Sequence, residues 1–355
     1  MVKYLVILVF LFDAYALAQK DCKDFFNSSS LNSVKAQYKK LLELPFIWKN
    51  YRPENYTTVL TNTEDSFGHC AVIIDPSQNI VEVPMANTFT FTNGLYNFYL
   101  GNQSLAGSVP VELDNFLKKK KISTALIYNV IKFPESKDIP DYIAHLSGRD
   151  DFHLNVIVHE GFHLNIKFAN LSGDKTNPWP TWDLQPERDI GKNCYSNEIA
   201  KPFWEKEKNA LNAFVKILLL DRSNLKLAIT AARDFIKIRK QRYESLKDIR
   251  VPSKFNPNGI SCSEAESIME LEEGMADYLG TTASLVIGSM SPLQVIEHLS
   301  DYHDWYYRSG LAQLLFIYKL APEKALEITG KISNASIWEN GVFNQFENYI
   351  NQNSF

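Results

Sequence analysis

His159, Glu160 and His163 stand inside an apolar run, "VIVHEGFHLNIKF", that extends from Val156 to Phe168. Placing three such polar groups among Val, Ile, Phe and Leu side chains is costly unless they find partners. Their spacing supplies a reason. On a helix, residues four apart lie on one face, so His159 and His163 can aim ring nitrogens at a single cation. Glu160 lies about 100° further round from His159, beside the cation and within reach of a water bound to it. A zinc ion held by nitrogen and oxygen ligands, with one position left for water, lowers the pKa of that water to about 7. The competing reading is a surface helix with exposed histidines. Leu154, Ile157, Val158, Phe162, Ile166 and Phe168 surround the motif with too much apolar surface for that.

His-Glu-x-x-His needs a third ligand, and "MELEEGMADYLG", Met269 to Gly280, offers one. Glu273 and Asp277 are four apart, again on one helical face. Glu273 is the candidate ligand. Asp277 is placed to accept a hydrogen bond from the free ring nitrogen of a ligand histidine, which fixes that histidine's tautomer. Ser263 followed three residues later by Glu266 reads as the capping box that starts the helix. Glu264, Glu266, Glu270 and Glu272 read as the solvated face of an amphipathic helix. Further on, "YYRSGLAQLLFIYKL", Tyr306 to Leu320, puts two tyrosines at the start of an apolar helix, with His298 and His303 just before them.

These motifs together resemble the gluzincin zinc metallopeptidases, thermolysin among them. The shared pattern is His-Glu-x-x-His followed downstream by a helical Glu-x-x-x-Asp-x-x-Gly, matched here by Glu273, Asp277 and Gly280. "EGMADY" is similar to the Glu-Gly-x-Ala run around the glutamate ligand in that group. Tyr307, three residues before Gly310, resembles the tyrosine of the Tyr-x-x-Gly helix start in its aminopeptidase branch. The resemblance implies one Zn2+ held by His159, His163 and Glu273, with Asp277 behind a ligand histidine. It implies Glu160 as general base on a zinc-activated water and Tyr307 as donor to the oxyanion, with His298 or His303 as other candidates for that donor. The activity it implies is hydrolysis of peptide bonds in a peptide or protein substrate. The same residue set would serve a metal-dependent hydrolase of a non-peptide amide or ester, or a non-catalytic binding protein that keeps the site. The likeness covers motifs between about residues 150 and 320 and departs from the family twice. Roughly 110 residues separate His163 from Glu273, a far longer gap than in thermolysin-like enzymes. The Gly-x-Met-Glu-Asn motif of the aminopeptidase branch has only Val83-Pro84-Met85-Ala86-Asn87 as its nearest string, which lacks the glutamate.

Such a site needs a scaffold. A chain of 355 residues is long enough for one large domain or two smaller ones with real cores. A net charge of −4 gives no reason to expect nucleic acid as a partner. Lys3, the apolar run Tyr4 to Phe12 and Ala16-Leu17-Ala18 read as a signal peptide, residues 1–18, cleaved after about Ala18. No later run is long enough to span a bilayer. The expectation is a secreted or periplasmic chain with no stable membrane insertion. In an oxidising compartment four cysteines favour two disulfides, with three possible connectivities. Cys194 and Cys262 bracket a helical hairpin between the two zinc motifs. They are predicted to pair with each other, which leaves Cys22 for Cys70.

The fold class expected is α+β. An N-terminal α/β region with a mixed sheet, residues 19–148, is expected to pack against a mainly helical part, residues 149–355, that carries a zincin-like active-site helix. "HCAVIIDPSQNIVEV", His69 to Val83, reads as two strands around a Pro-Ser-Gln-Asn turn. "NTFTFTNGLYNFYL", Asn87 to Leu100, carries an Asn-Gly hairpin signal. "ISTALIYNVIKF", Ile122 to Phe133, is β-branched and reads as a further strand. Helices near 205–220 and 224–245, joined by "DRSN", suggest an antiparallel hairpin. They belong to an insertion at about 172–260 that opens on a Pro/Trp/Asn-rich stretch, residues 172–197.

Overall fold

The structure is a computed structural model that describes residues 22–23, 25–27, 29–44, 56–62, 69–75, 79–85, 96–100, 103–104, 111–129, 150–171, 189–221, 224–253, 256–301, 305–331 and 341–353. The expected signal peptide, residues 87–95 of the expected hairpin, residues 172–188 of the Pro/Trp-rich stretch, and His303 lie outside them. The chain divides into two compact units, Met1–Pro45 with Tyr51–Phe168, and Phe46–Asn50 with Ala169–Phe355.

The first unit runs α1 (Ser29–Glu43), β1 (Thr57–Asn62), β2 (His69–Ile74), β3 (Ile80–Met85), β4 (Tyr96–Leu100), β5 (Gln103–Ser104), α2 (Val111–Lys119), β6 (Thr124–Asn129) and α3 (Asp150–Leu171). The six strands form one sheet in the order β3-β2-β1-β6-β4-β5. β1 and β6 are parallel and the other pairs antiparallel, so the sheet is mixed. The strands predicted around the Pro-Ser-Gln-Asn turn are β2 and β3, and β6 lies within the predicted 122–133 run. Side chains alternate across a strand. Val59, Ala71, Ile73, Tyr99, Ala125 and Ile127 pack on one face against Leu113 and Leu117 of α2. Thr58, Leu60, Val72, Leu126 and Tyr128 fall on the opposite face and are buried too. There the Thr58 hydroxyl donates to the Tyr38 hydroxyl of α1 at 2.7 Å. Because both faces are covered, the strands read as apolar runs rather than as strict alternation. A Cys22–Cys70 disulfide ties the start of the unit to β2.

The second unit is mainly helical, which makes the chain α+β. It runs α4 (Lys201–Leu220), α5 (Leu225–Ser245), β7 (Arg250–Ser253), β8 (Asn256–Ser261), α6 (Cys262–Met269), a π turn (Glu270–Gly274), α7 (Met275–Ile287), α8 (Pro292–Asp301), α9 (Trp305–Leu320), α10 (Pro322–Lys331) and α11 (Val342–Gln352). α4 and α5 are the predicted hairpin and pack along each other. Phe214, Phe235, Phe316 and Phe346, from α4, α5, α9 and α11, form a ring cluster with centroids 5.3–6.1 Å apart. The small β7–β8 hairpin was not legible in advance, because its strands carry prolines and asparagines instead of a β-branched run. The capping box of α6 is Ser261 with Glu264, two residues earlier than the predicted Ser263 and Glu266. α6 begins at Cys262, so Glu266 already lies inside the helix. Cys262 is bonded to Cys194, the predicted pairing. Closing a loop of 68 residues stabilises by about 4 kcal/mol in the chain-entropy account. Two disulfides fit an extracellular setting, and no helix among the described residues is long and apolar enough to cross a membrane.

Candidate metal centre

α3 carries apolar side chains over more than half of its circumference, and His159, His163 and Glu160 share the remaining arc. Leu154, Ile157, Val158, Phe162 and Leu164 are fully buried, while Val156, His159 and Asn165 are partly exposed. Four-residue spacing stacks His159 over His163, with ring centroids 4.8 Å apart. Their Nε2 atoms face each other at 3.1 Å. Two nitrogens on one tetrahedral zinc with bonds of about 2.0–2.1 Å are separated by roughly 3.3 Å, so the pair is already close to a shared-ion geometry. Glu160 is buried on the same helix.

Glu273 reaches the site from the π turn. Its neighbour Gly274 crosses α9 at Gly310. A Cβ on Gly274 would stand 2.8 Å from the Gly310 Cα and 2.9 Å from the Tyr306 carbonyl oxygen, and a Cβ on Gly310 would stand 2.7 Å from the Gly274 Cα. Only two glycines allow this approach, which accounts for Gly274 of the "EGMADY" run and Gly310 of the Tyr-x-x-Gly helix start. His159, His163 and Glu273 each offer one ligand atom, and these atoms all lie within 4.8 Å of one another. Two imidazole nitrogens and a carboxylate oxygen are a donor set that metal ions accept. The structure thus brings the three predicted ligands together as a group able to hold a metal ion.

No protein-family model matches the chain, and neither a curated protein nor a solved structure matches it.

Asp277, one turn after Glu273 and buried, has its Oδ1 3.2 Å from Nε2 of the buried His298 on α8. His298, a candidate oxyanion donor on sequence grounds, thus has one ring nitrogen directed at Asp277. Tyr306 and Tyr307 divide as adjacent residues on a helix must. Tyr306 is in the core, and Tyr307 is half-buried with its ring 4.9 Å from that of Tyr306.

Sequence reasoning missed two features. Tyr128, at the end of β6, is fully buried within Coulombic reach of Glu160. Burial, and after it the Glu160 charge, pushes its phenol well above the ordinary range. A tyrosine in a β-branched strand reads as packing, and nothing local marks it otherwise.

The second is a correction. Glu266, Glu270 and Glu272 do not belong to a solvated face; all three are buried, and Glu264 is spent on the cap. Glu266 and Glu270 join Glu207 of α4 around Arg239 and Arg242 of α5, both arginines being 0% exposed. Arg239 donates to Glu207 at 2.8 Å, to Glu266 at 2.9 Å and to Glu270 at 2.6 Å. Arg242 donates to Glu207 at 2.6 Å and to Glu266 at 2.9 Å, with its guanidinium over the Trp204 ring. Burial works to raise the Glu207 pKa, but the charges of Arg242 and Arg239 outweigh it and hold the carboxyl below its ordinary value. Burial pushes the Glu270 carboxyl up, against the pull of Arg239 and with the push of Glu266. Three carboxylates face two guanidinium groups, an excess of one negative charge when all are ionised. A signal for this cluster did exist. Arg239 and Arg242 continue the buried stripe Ala228, Ala232 and Phe235 of α5, and Glu207 lies on the stripe Trp204, Leu211, Phe214 of α4. A charge on an apolar stripe calls for an opposite charge across the core.

Proposed function

We propose that the chain is a secreted zinc-dependent peptidase of gluzincin type. The observation that carries this reading is the convergence of His159, His163 and Glu273, with ligand atoms within 4.8 Å of one another and Glu160 on the same turn of α3. Two nitrogens and one carboxylate oxygen fit a catalytic zinc, which keeps its remaining position for water. A zinc ion held there would polarise the scissile carbonyl and lower the pKa of the water it binds. Glu160 takes the proton of the attacking water on its carboxylate and passes it to the leaving nitrogen. Tyr307 donates its hydroxyl hydrogen to the oxyanion as charge develops on it. Asp277 acts behind the ligand set, with His298 at one of its oxygens. The N-terminal signal and the two disulfides support export.

The test is hydrolysis of a mixed peptide library by the purified chain. Cleavage that stops on chelation and returns with zinc is expected. Glu160→Gln should lower turnover by about 10²–10⁴-fold while metal content stays the same. Turnover of ester or non-peptide amide substrates with no peptide cleaved would refute the peptidase reading and leave the metal group standing.

A further inference from the structure

Glu266, Glu270, Glu273 and Asp277 are spaced so that on an unbroken α-helix all four would lie within about 60° of one another, as one acidic stripe. The structure splits that stripe. Glu266 and Glu270 turn to the buried arginines, whereas Glu273 belongs to the metal group. The break falls at the π turn, Glu270–Gly274. A π turn takes up one more residue than an α turn and so rotates the helix on its C-terminal side by about 100° relative to the helix on its N-terminal side.

That turn is clamped at both ends. At its first residue, Glu270 Oε1 accepts from Arg239 Nη1 at 2.6 Å, from Gln313 Nε2 at 3.0 Å and from the Ser309 hydroxyl. Arg239 cannot shift to follow a different register, because Glu207 of α4 holds its Nε at 2.8 Å. At the last residue, Gly274 lies against Gly310. Glu273 sits between the clamps. Ser309 and Gly310 are neighbours on α9, so one helix grips the turn twice.

We propose that Glu270 is a positioning residue for the metal ligand Glu273: its bonds to Arg239, Ser309 and Gln313 hold the π turn in the register that presents Glu273 to His159 and His163. This rests on the reading of Glu273 as a ligand.

The experiment is a zinc titration of the full chain against a chromophoric competitor, beside a denaturation curve for each variant. Glu270→Ala should weaken zinc binding by about 10–100-fold, the usual effect of losing a group that orients a ligand. Glu270→Gln keeps an oxygen for the same three donors and should restore wild-type affinity. Glu266→Gln loosens the same arginines without releasing the turn, so it should lower stability and leave zinc affinity unchanged. If Glu270→Ala does not fold, Ser309→Ala combined with Gln313→Leu removes two of the three bonds to that oxygen and should still weaken zinc. Wild-type affinity in Glu270→Ala or in the Ser309/Gln313 double variant overturns the proposal. Equal weakening in Glu266→Gln also overturns it, because the cause would then be general loosening. Glu273→Ala separates the two levels: undiminished zinc affinity there would refute the ligand reading itself.

Discussion

The cluster around Arg239 and the group around Glu273 draw acids from the same helical run, Cys262–Ile287, and both hold buried polar side chains. They differ in what the chain supplies. In the first, guanidinium and carboxylate come from the same molecule and close on one another at 2.6–2.9 Å. In the second, two imidazoles and a carboxylate bring one electron-pair donor atom each to within 4.8 Å of one another. A buried cluster that brings both signs is a structural joint. A cluster of two imidazoles and a carboxylate at such distances could hold a metal ion. Burial alone does not distinguish them, and neither does the number of acids.

Removing one of the two arginines should disturb the protein most. Arg239→Ala strands the Glu207, Glu266 and Glu270 carboxylates in the core, and removal of one partner from a buried ion pair costs about 3–5 kcal/mol. Arg242→Ala should cost a similar amount. Denaturant midpoints measure both. A loss below about 1 kcal/mol, the level of an exposed pair, would mean that water reaches the cluster and that the contrast is false.

A smaller effect separates Tyr307 from its neighbour. Tyr307→Phe should lower kcat by about 10²-fold with fold and metal unchanged, whereas Tyr306→Phe, in the core beside it, should leave kcat nearly as it was. The reverse result would place the register one residue off. If both were silent, Tyr307 would be packing only.

How much of this was legible depended on distance along the chain. His159, Glu160 and His163 show within five residues, and helical geometry alone brings them to one face. Glu273 was legible because its own local pattern with Asp277 repeats that logic. The β2–β3 pair and β6 followed from β-branched runs, and the Cys194–Cys262 bond from bracketing a hairpin. The acids before Glu273 were misread, because their partners Arg239 and Arg242 lie on another helix and only packing shows which stripe faces which. The π turn was not legible either. It is set by Glu270, Ser309, Gln313 and the Gly274–Gly310 crossing, which are separated by dozens of residues in sequence.

The smallest effect is in pH dependence, and its sign differs for two members of one cluster. Glu207 has a lowered folded pKa, so it adds stability above its unfolded value that is lost as pH falls through the folded one. Glu270 has a raised folded pKa, so stability declines as pH rises from the ordinary value of 4.5 through the folded one. Glu270→Gln should remove that decline, read as the difference between mutant and wild-type denaturation midpoints across pH in metal-free protein. A difference that stays flat above pH 4.5 would show Glu270 ionised throughout and the excess charge neutralised elsewhere.

Whether His159, His163 and Glu273 form a metal site is decided by elemental analysis of protein purified without chelator and dialysed against zinc. One transition-metal ion per wild-type chain is expected, with that ion lost in His163→Ala and in Glu273→Ala while Glu160→Gln retains it. A folded wild-type chain that carries no stoichiometric transition metal, or ligand variants that keep theirs, would contradict it.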